Sequence, residues 1–443
     1  MIVFRPSIIV TMDDNIGVIA DGYLGIEDGK IEYIGKSKPE HAEEIVELPK
    51  KIIMPGFINS HTHIAMTLLR GLKDDADLQT WLMKYILPVE KLLRPSDVYY
   101  GALYGALEMI RNGITCFLDM YYHEIEVAKA VVDVGCRAML TYGSADVFFD
   151  RDPQEEFRIA EQFRIDIESL ISEKKCENKV FFAYGPHSVY GCTEELLKIF
   201  RDASEERKIR IHIHLSETRV EVEETRKRLR MTPIEYLDKI GLLSSRVMAA
   251  HVVWPTDSDI EILARKGVHV LHNPSSNLKL ASGVCPVEKM LKSGINVALA
   301  TDGPASNNRL DLWKEAYIAA ILQKGITYDP KALPAKEALK MATINSAKAL
   351  GLDSIIGSLS VGKYADFVII DTEKAMESVP SHDIFSMIIY ALDSRYIDSV
   401  WIGGNKLYDA KYGFSFIDVK DVKNKVESIR RRLIEEAGIY ENP

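Results

Sequence analysis

Short apolar runs of strand length alternate with helix-length segments through the middle of the chain. Eight runs stand out: Ile52–Ser60, Ile114–Tyr121, Arg137–Gly143, Val180–Gly185, Ile209–Leu215, Val247–Val252, Val268–Leu271 and Asn296–Ala300. Near-continuous apolar strands separated by helices are buried on both faces, as in a parallel sheet. Eight repeats predict an α/β fold, a TIM-type (β/α)8 barrel over residues 53–354. An open doubly wound sheet is the competing arrangement. It wants a glycine-rich phosphate turn after its first strand, where His61-Thr62-His63 stands instead.

The flanks have a different rhythm. Leu24–Ile31 places Asp28-Gly29 between alternating apolar positions, a hairpin signal. Strand character returns at Asp366–Ile370 and Val400–Asn405. Neither flank is large enough for a core of its own, so residues 1–52 and 355–415 are expected to build one small β-sandwich domain from both chain ends. Val419, Val422, Val426, Ile429 and Leu433 follow helical spacing, which predicts a C-terminal helix within 416–443 docked on the body. Gly357–Lys363 matches most of a phosphate-binding loop. Tyr364 replaces the metal-holding hydroxyl and a strand follows, so the segment reads as a tight turn.

Composition narrows the function classes. The chain has 443 residues, 47% hydrophobic and 27% charged, as in a globular protein. A net charge of −10 argues against nucleic acid or an anionic membrane as partner. No secretory leader or membrane span is visible, and five scattered cysteines include no C-x-x-C pair, so the expected compartment is the reducing cytoplasm.

In a barrel, the carboxyl ends of the strands converge on one site. Those ends carry His61 and His63 (first strand), His187 (fourth), His214 and Glu217 (fifth), His251 (sixth) and Asp302 (eighth). Each alone reads more simply as a hydrogen-bonded core or turn residue; the set reads as a metal site. Imidazoles and a carboxylate suit zinc or another borderline divalent ion, which activates a water molecule near neutral pH. Asp302 is placed to take a proton from that water, and Glu217 to shuttle one to substrate. The fourth strand end offers His187 and no bridging lysine, which favours one metal over two. His212 shares a face with His214 one layer deeper and reads as structural. His41, His123, His269, His272 and His382 also take the plain reading, with His123 and His272 the nearest to the site.

Two segments resemble the amidohydrolase superfamily: Met54–His63 at the first strand and Val361–Val368 on the return to the small domain. Met66–Gly71, Trp81–Glu90, Gly185–Ser188, His214–Thr218, His272–Leu280 and Thr301–Gly303 resemble more narrowly the 5-methylthioadenosine/S-adenosylhomocysteine/5'-deoxyadenosine deaminase family. The resemblance implies His61, His63, His214 and Asp302 as ligands of one divalent ion, most simply Zn2+, with Fe2+, Ni2+ or Mn2+ as alternatives. It implies that Glu217 handles the purine N1 proton and that His251 contacts the attacking water. It also implies that Asp302 passes the water proton to ammonia, and that Glu90 and His187 hold the ribose side. Trp81 is either an apolar wall of the site or core packing.

The product would be the inosine analogue, the only partner a small nucleoside, and the assembly a homo-oligomer. Other members carry an arginine after the third strand for a carboxylate tail, and Tyr142 stands at the matching position. Arg151 or Arg158 is the remaining cation there. Small neutral 5'-groups are therefore expected to be preferred over the zwitterionic tail of S-adenosylhomocysteine. Pro304 also departs from the small residue usual beside Asp302. Other readings stay open: a related enzyme acting on guanine, a pyrimidine or an s-triazine, and a catalytically silent scaffold.

Overall fold

The computed structural model describes residues 1–438. Two compact units emerge from its contacts. One holds Met1–Asn59, Leu107–Cys116 and Asp311–Asp418; the other holds Ser60–Ala106, Phe117–Leu310 and the segment from Val419.

The first unit begins with strands β1 (Ile2–Val10), β2 (Val18–Ala20), β3 (Tyr23–Glu27), β4 (Lys30–Gly35) and β5 (Glu44–Pro55). β3 and β4 form the expected hairpin, with Glu27 opposite Lys30. Its two turn residues, Asp28 and Gly29, have φ of 48° and 77°, the left-handed pair that matches the strand twist.

β5 ends at Pro55 and β6 (Phe57–Thr62) starts after Gly56. The expected single run Ile52–Ser60 is thus two strands in two sheets. A side chain at Gly56 would collide with Thr115, so only bare backbone fits this junction. Seven further parallel-sheet positions follow: β7 (Ile114–Tyr121), β8 (Arg137–Ser144), β9 (Val180–Phe182) with β10 (Gly185–Pro186), β11 (Ile211–Leu215), β12 (Val247–His251), β13 (His269–His272) and β14 (Val297–Leu299). The fourth position is split. β9 pairs with Ala138–Leu140 and β10 with Gly143–Ser144, both parallel to β8.

β6, β7, β8 and β10 form one hydrogen-bonded series and β11 to β14 another. Parallel bridges Tyr184–Ile211 and Ser188–His214 link the two. On the far side the Asp302 backbone N–H donates to the His61 carbonyl at 3.0 Å. Every residue of β7, β11 and β12 is buried, the reason these strands read as continuous apolar runs. Helices such as Glu124–Val134, Glu194–Arg207 and Asp257–Lys266 separate the strands.

β15 (Phe367–Asp371), β16 (Ile397–Ile402) and β17 (Asn405–Asp409) return to the first unit. β15 pairs antiparallel with β5, so both chain ends share one sheet, ordered β17-β16-β15-β5-β1-β3-β4 with β2 on β1. Its core includes Phe4 and Phe367, and Trp401 stacks on Phe367 at 5.6 Å. Gly357–Lys363 is a turn into β15. Gly362 has φ of 88°, and the Lys363 ammonium donates to the Ser358 hydroxyl at 2.7 Å. In the second unit, helix Val419–Ala437 buries Val422, Ile429 and Leu433, and Arg432 pairs with Asp97 at 2.5 Å. The last five positions of the expected 416–443 segment lie outside the described residues. Among the described residues, no helix is long and apolar enough to cross a membrane. All five cysteines are buried, and none forms a disulfide.

Candidate metal centre and active site

Every candidate at a strand carboxyl end lies in the second unit, around one cavity. His61 and His63 leave β6 two residues apart and therefore point the same way. Their Nε2 atoms lie 3.2 and 3.3 Å from Asp302 Oδ1. His214 Nε2 lies 3.4 Å from His63 Nε2. Four donors from the ends of three strands thus converge on one point.

Backbone strain marks the same place. His251, Val252 and Asp302 have φ of 73°, 44° and 62°, a region disfavoured for side chains with a Cβ. In β12, His251 pairs with Leu215 and Ala250 pairs with His214. Regular pleating would put His251 on the face of Leu215, away from His214. The left-handed turn redirects its ring, which stacks 5.6 Å from that of His214.

The hydrogen bonds behind the donors fix their tautomers. His63 Nδ1 donates to the Met120 carbonyl at 2.6 Å, and His214 Nδ1 to the His187 carbonyl at 2.8 Å. Both rings present Nε2 to the centre. His61 Nε2 is buried without a hydrogen-bond partner. The hydroxyls of Ser276 and Ser306 donate to Asp302 Oδ2 at 2.6 and 2.8 Å, leaving Oδ1 to the centre.

Burial pushes His61 down to about 4 and outweighs the pull of Asp302. It also drives His214 well below its ordinary value, so both rings are neutral. Burial works against ionised Asp302, yet the adjacent His61 and His63 rings hold its pKa well down. Against burial, the Asp302 carboxylate raises His63 to about 9, a proton that a bound cation would replace. Imidazole lone pairs with an ionised carboxylate are what a borderline divalent cation requires, and an orphaned buried Nε2 is what it would satisfy. The residues fit one divalent ion.

The cavity above these donors has a volume of about 60 Å³. His187, Glu217 and His251 line it, with Trp81, Glu90 and Tyr121 on the wall. Glu217 Oε2 lies 3.8 Å from His251 Nε2, and Ser282 donates to Glu217 Oε1 at 3.4 Å. Burial raises the Glu217 pKa. Asn277 Oδ1 accepts from His251 Nδ1 at 2.8 Å, which turns Nε2 toward Glu217. Glu90 accepts from the Tyr121 hydroxyl at 2.7 Å, and burial pushes it up to about 7. Trp81 is buried in the wall and its indole N–H has no partner. His187 is held near 3 by burial.

A second cavity of about 420 Å³ shares Glu90 and Tyr122 with the first. Leu87, Val98, Phe149 and Ile159 make it apolar. Tyr142 and Arg151 line it, whereas Arg158 is exposed and bonds to the Gln154 carbonyl. Arg151 pairs with buried Glu156 at 3.0 Å and lies over the Phe149 ring.

Several supporting residues were missed in the sequence. Met120, Ser276, Asn277 and Ser306 orient the donors, and His212 is hydrogen-bonded to His61. The alternation His212-x-His214 was the one available signal for His212. His123 is an exposed residue on the rim of the second cavity, and His272 is buried outside both. Pro304 opens the short helix Pro304–Asn307 after Gly303, a position that suits its fixed φ.

Residues 52–407 match the amidohydrolase family. The chain is 45% identical to a 5-methylthioadenosine/S-adenosylhomocysteine deaminase of Thermococcus sibiricus, over 89% of this chain and 91% of that one. It is 38% identical to a 5'-deoxyadenosine deaminase of Methanosarcina acetivorans, over 99% of each. Among solved structures, a zinc-bound adenosine deaminase of Xanthomonas campestris superposes with a TM-score of 0.89 at 31% identity, covering 98% of both chains. A zinc-complexed atrazine chlorohydrolase of Arthrobacter aurescens superposes at 0.88 and 24% identity, over 97% of this chain and all of that one, a likeness of fold. The larger part of the chain has the TIM-barrel fold of these neighbours, and the chain belongs to the amidohydrolase family.

Proposed function

We propose that this protein hydrolytically deaminates 5'-modified adenosines, converting substrate and water to the inosine analogue and ammonia. The observation that carries this is the convergence of His61, His63, His214 and Asp302 beneath a cavity lined by Glu217, His251 and Glu90. The names of relatives that cover nearly the whole chain point the same way. In this reading residues 53–354 form a closed barrel, residues 1–52 and 355–415 a sandwich-like small domain, and zinc is the resident ion. Buried cysteines without disulfides fit a cytoplasmic enzyme.

When bound, the divalent ion lowers the pKa of a water molecule and polarises the reacting carbon. The chain's own groups do the rest. Glu217, whose pKa burial raises, gives a proton to purine N1, draws electron density from C6, and takes back the proton of the added hydroxyl as ammonia leaves. Asp302 takes the proton of the attacking water and passes it to the departing amine. His251, turned by Asn277, presents Nε2 to the attacking water. Glu90 accepts the ribose hydroxyls, and His187 closes the ribose side. The cavity beside Glu90 receives the 5'-substituent. Of the Lys91 and Arg151 cations that line it, Arg151 is already paired with Glu156, and the apolar Leu87, Leu93, Val98, Phe149 and Ile159 suit uncharged groups such as 5'-deoxy and 5'-methylthio.

Glu90→Ala tests the nucleoside reading. It should raise KM for 5'-deoxyadenosine by at least tenfold, the loss of about one charge-assisted hydrogen bond. An unchanged kcat/KM would remove the ribose contact and favour a free base as substrate.

A further inference from the structure

His63 and His214 are held by peptide carbonyls, which no substitution removes. His61 is held by a side chain. His212 is fully buried on β11, two residues before His214 and on the same face. Its Nε2 lies 2.8 Å from His61 Nδ1, and its Nδ1 lies 3.3 Å from Thr141 Oγ1. The Thr141 hydroxyl donates to the Asp119 carbonyl at 2.5 Å.

This row of contacts has only one consistent direction. The Asp119 carbonyl carries no proton, so Thr141 must donate to it. Thr141 Oγ1 then accepts from His212 Nδ1–H. His212 Nε2 is left as a lone pair, and accepts from His61 Nδ1–H. His61 Nε2 therefore faces the other donors unprotonated, the only tautomer that can bind a cation.

We propose that His212 is a positioning residue that selects the metal-binding tautomer of His61, with Thr141 and the Asp119 carbonyl fixing its own orientation. The inference rests on His61 being a ligand. Loss of a hydrogen-bond partner behind a histidine ligand lowers metal affinity by about 10- to 100-fold. A carboxylate or carbonyl usually fills that place; here a second imidazole does.

The test is the affinity of the purified full-length apoprotein for Zn2+, measured by competition with a chromophoric chelator, with circular dichroism reporting the fold. His212→Phe should weaken Zn2+ binding by about 10-fold or more. His212→Gln, whose side-chain oxygen can accept from His61, should restore most of the affinity. Thr141→Val, which leaves His212 free to flip, should weaken binding less than His212→Phe does. A folded His212→Phe protein that binds Zn2+ within twofold of the natural chain overturns the proposal. If His212→Phe does not fold, unchanged affinity in Thr141→Val overturns it. His61→Ala separates the two claims: if it leaves Zn2+ affinity untouched, the ligand assignment fails first.

Discussion

At the scale of single residues, the chemistry depends on groups whose protonation the buried environment resets. Glu217 is buried, raised in pKa and 3.8 Å from His251 Nε2. Glu217→Gln keeps its shape and removes its proton traffic. We expect kcat to fall by about 10²- to 10⁴-fold with KM changed far less; activity near that of the natural chain would exclude Glu217 as the proton carrier. Glu90 titrates at about 7 because burial outweighs the Tyr121 hydrogen bond and the charge of His63. Its raised value means that it is neutral below that pH and a charged, stronger acceptor above it. A bound cation moves the midpoint lower. KM for nucleoside should therefore fall as pH rises toward and through about 7, and in Glu90→Gln the profile should be flat and high. A natural-chain KM that rises over that interval contradicts the assignment. The donors themselves were legible in the sequence, because ligand chemistry and strand-end placement both speak through residue type. What was hidden is how they are held. His251 reaches the site through a left-handed turn that alternation does not show, and Asn277 and Ser306 are ordinary polar residues until the fold brings them to His251 and Asp302.

At the scale of elements, a helix start positions Glu217. Thr218 caps helix Arg219–Leu229 by accepting from Glu221 N at 3.1 Å. The Glu221 carboxylate reaches back to Ser216 N at 3.0 Å and Glu217 N at 2.8 Å. This reciprocal arrangement extends a capping box to the strand end. It holds Glu217 just after Ser216, whose φ is 50°. Glu221→Ala should lower kcat by about 10- to 100-fold through misplacement of Glu217 while leaving zinc stoichiometry unchanged; loss of the metal as well would show a broader collapse of the β11 end. The Thr218-x-x-Glu221 spacing stood in the sequence as a helix-start signal, but nothing there tied it to Glu217. Strand breaks were harder still. Gly56 divides one apolar run between two sheets because Thr115 leaves it no room for a side chain, and that neighbour is remote in sequence.

At the scale of the molecule, the alternation of buried strands and helices was readable because parallel strands covered on both faces need little but apolar residues. The joining of both chain ends in one sheet was readable from the insufficiency of each. The ladder order, with β15 against β5, depends on long-range register and was not. A ligand that binds only the folded state stabilises it by about 2.7 kcal/mol at 100 times its Kd. Chelation should lower Tm, and Zn2+ should restore it in the natural chain but not in His61→Ala. An unchanged Tm would separate metal binding from folding. The central claim concerns the reaction, and ammonia release by the zinc-loaded protein tests it most directly. The panel is 5'-deoxyadenosine, 5'-methylthioadenosine, S-adenosylhomocysteine, adenosine, guanine and cytosine. Turnover of the nucleosides, highest for 5'-deoxyadenosine and 5'-methylthioadenosine, is the predicted result; activity confined to the free bases, or none at all, would contradict the account.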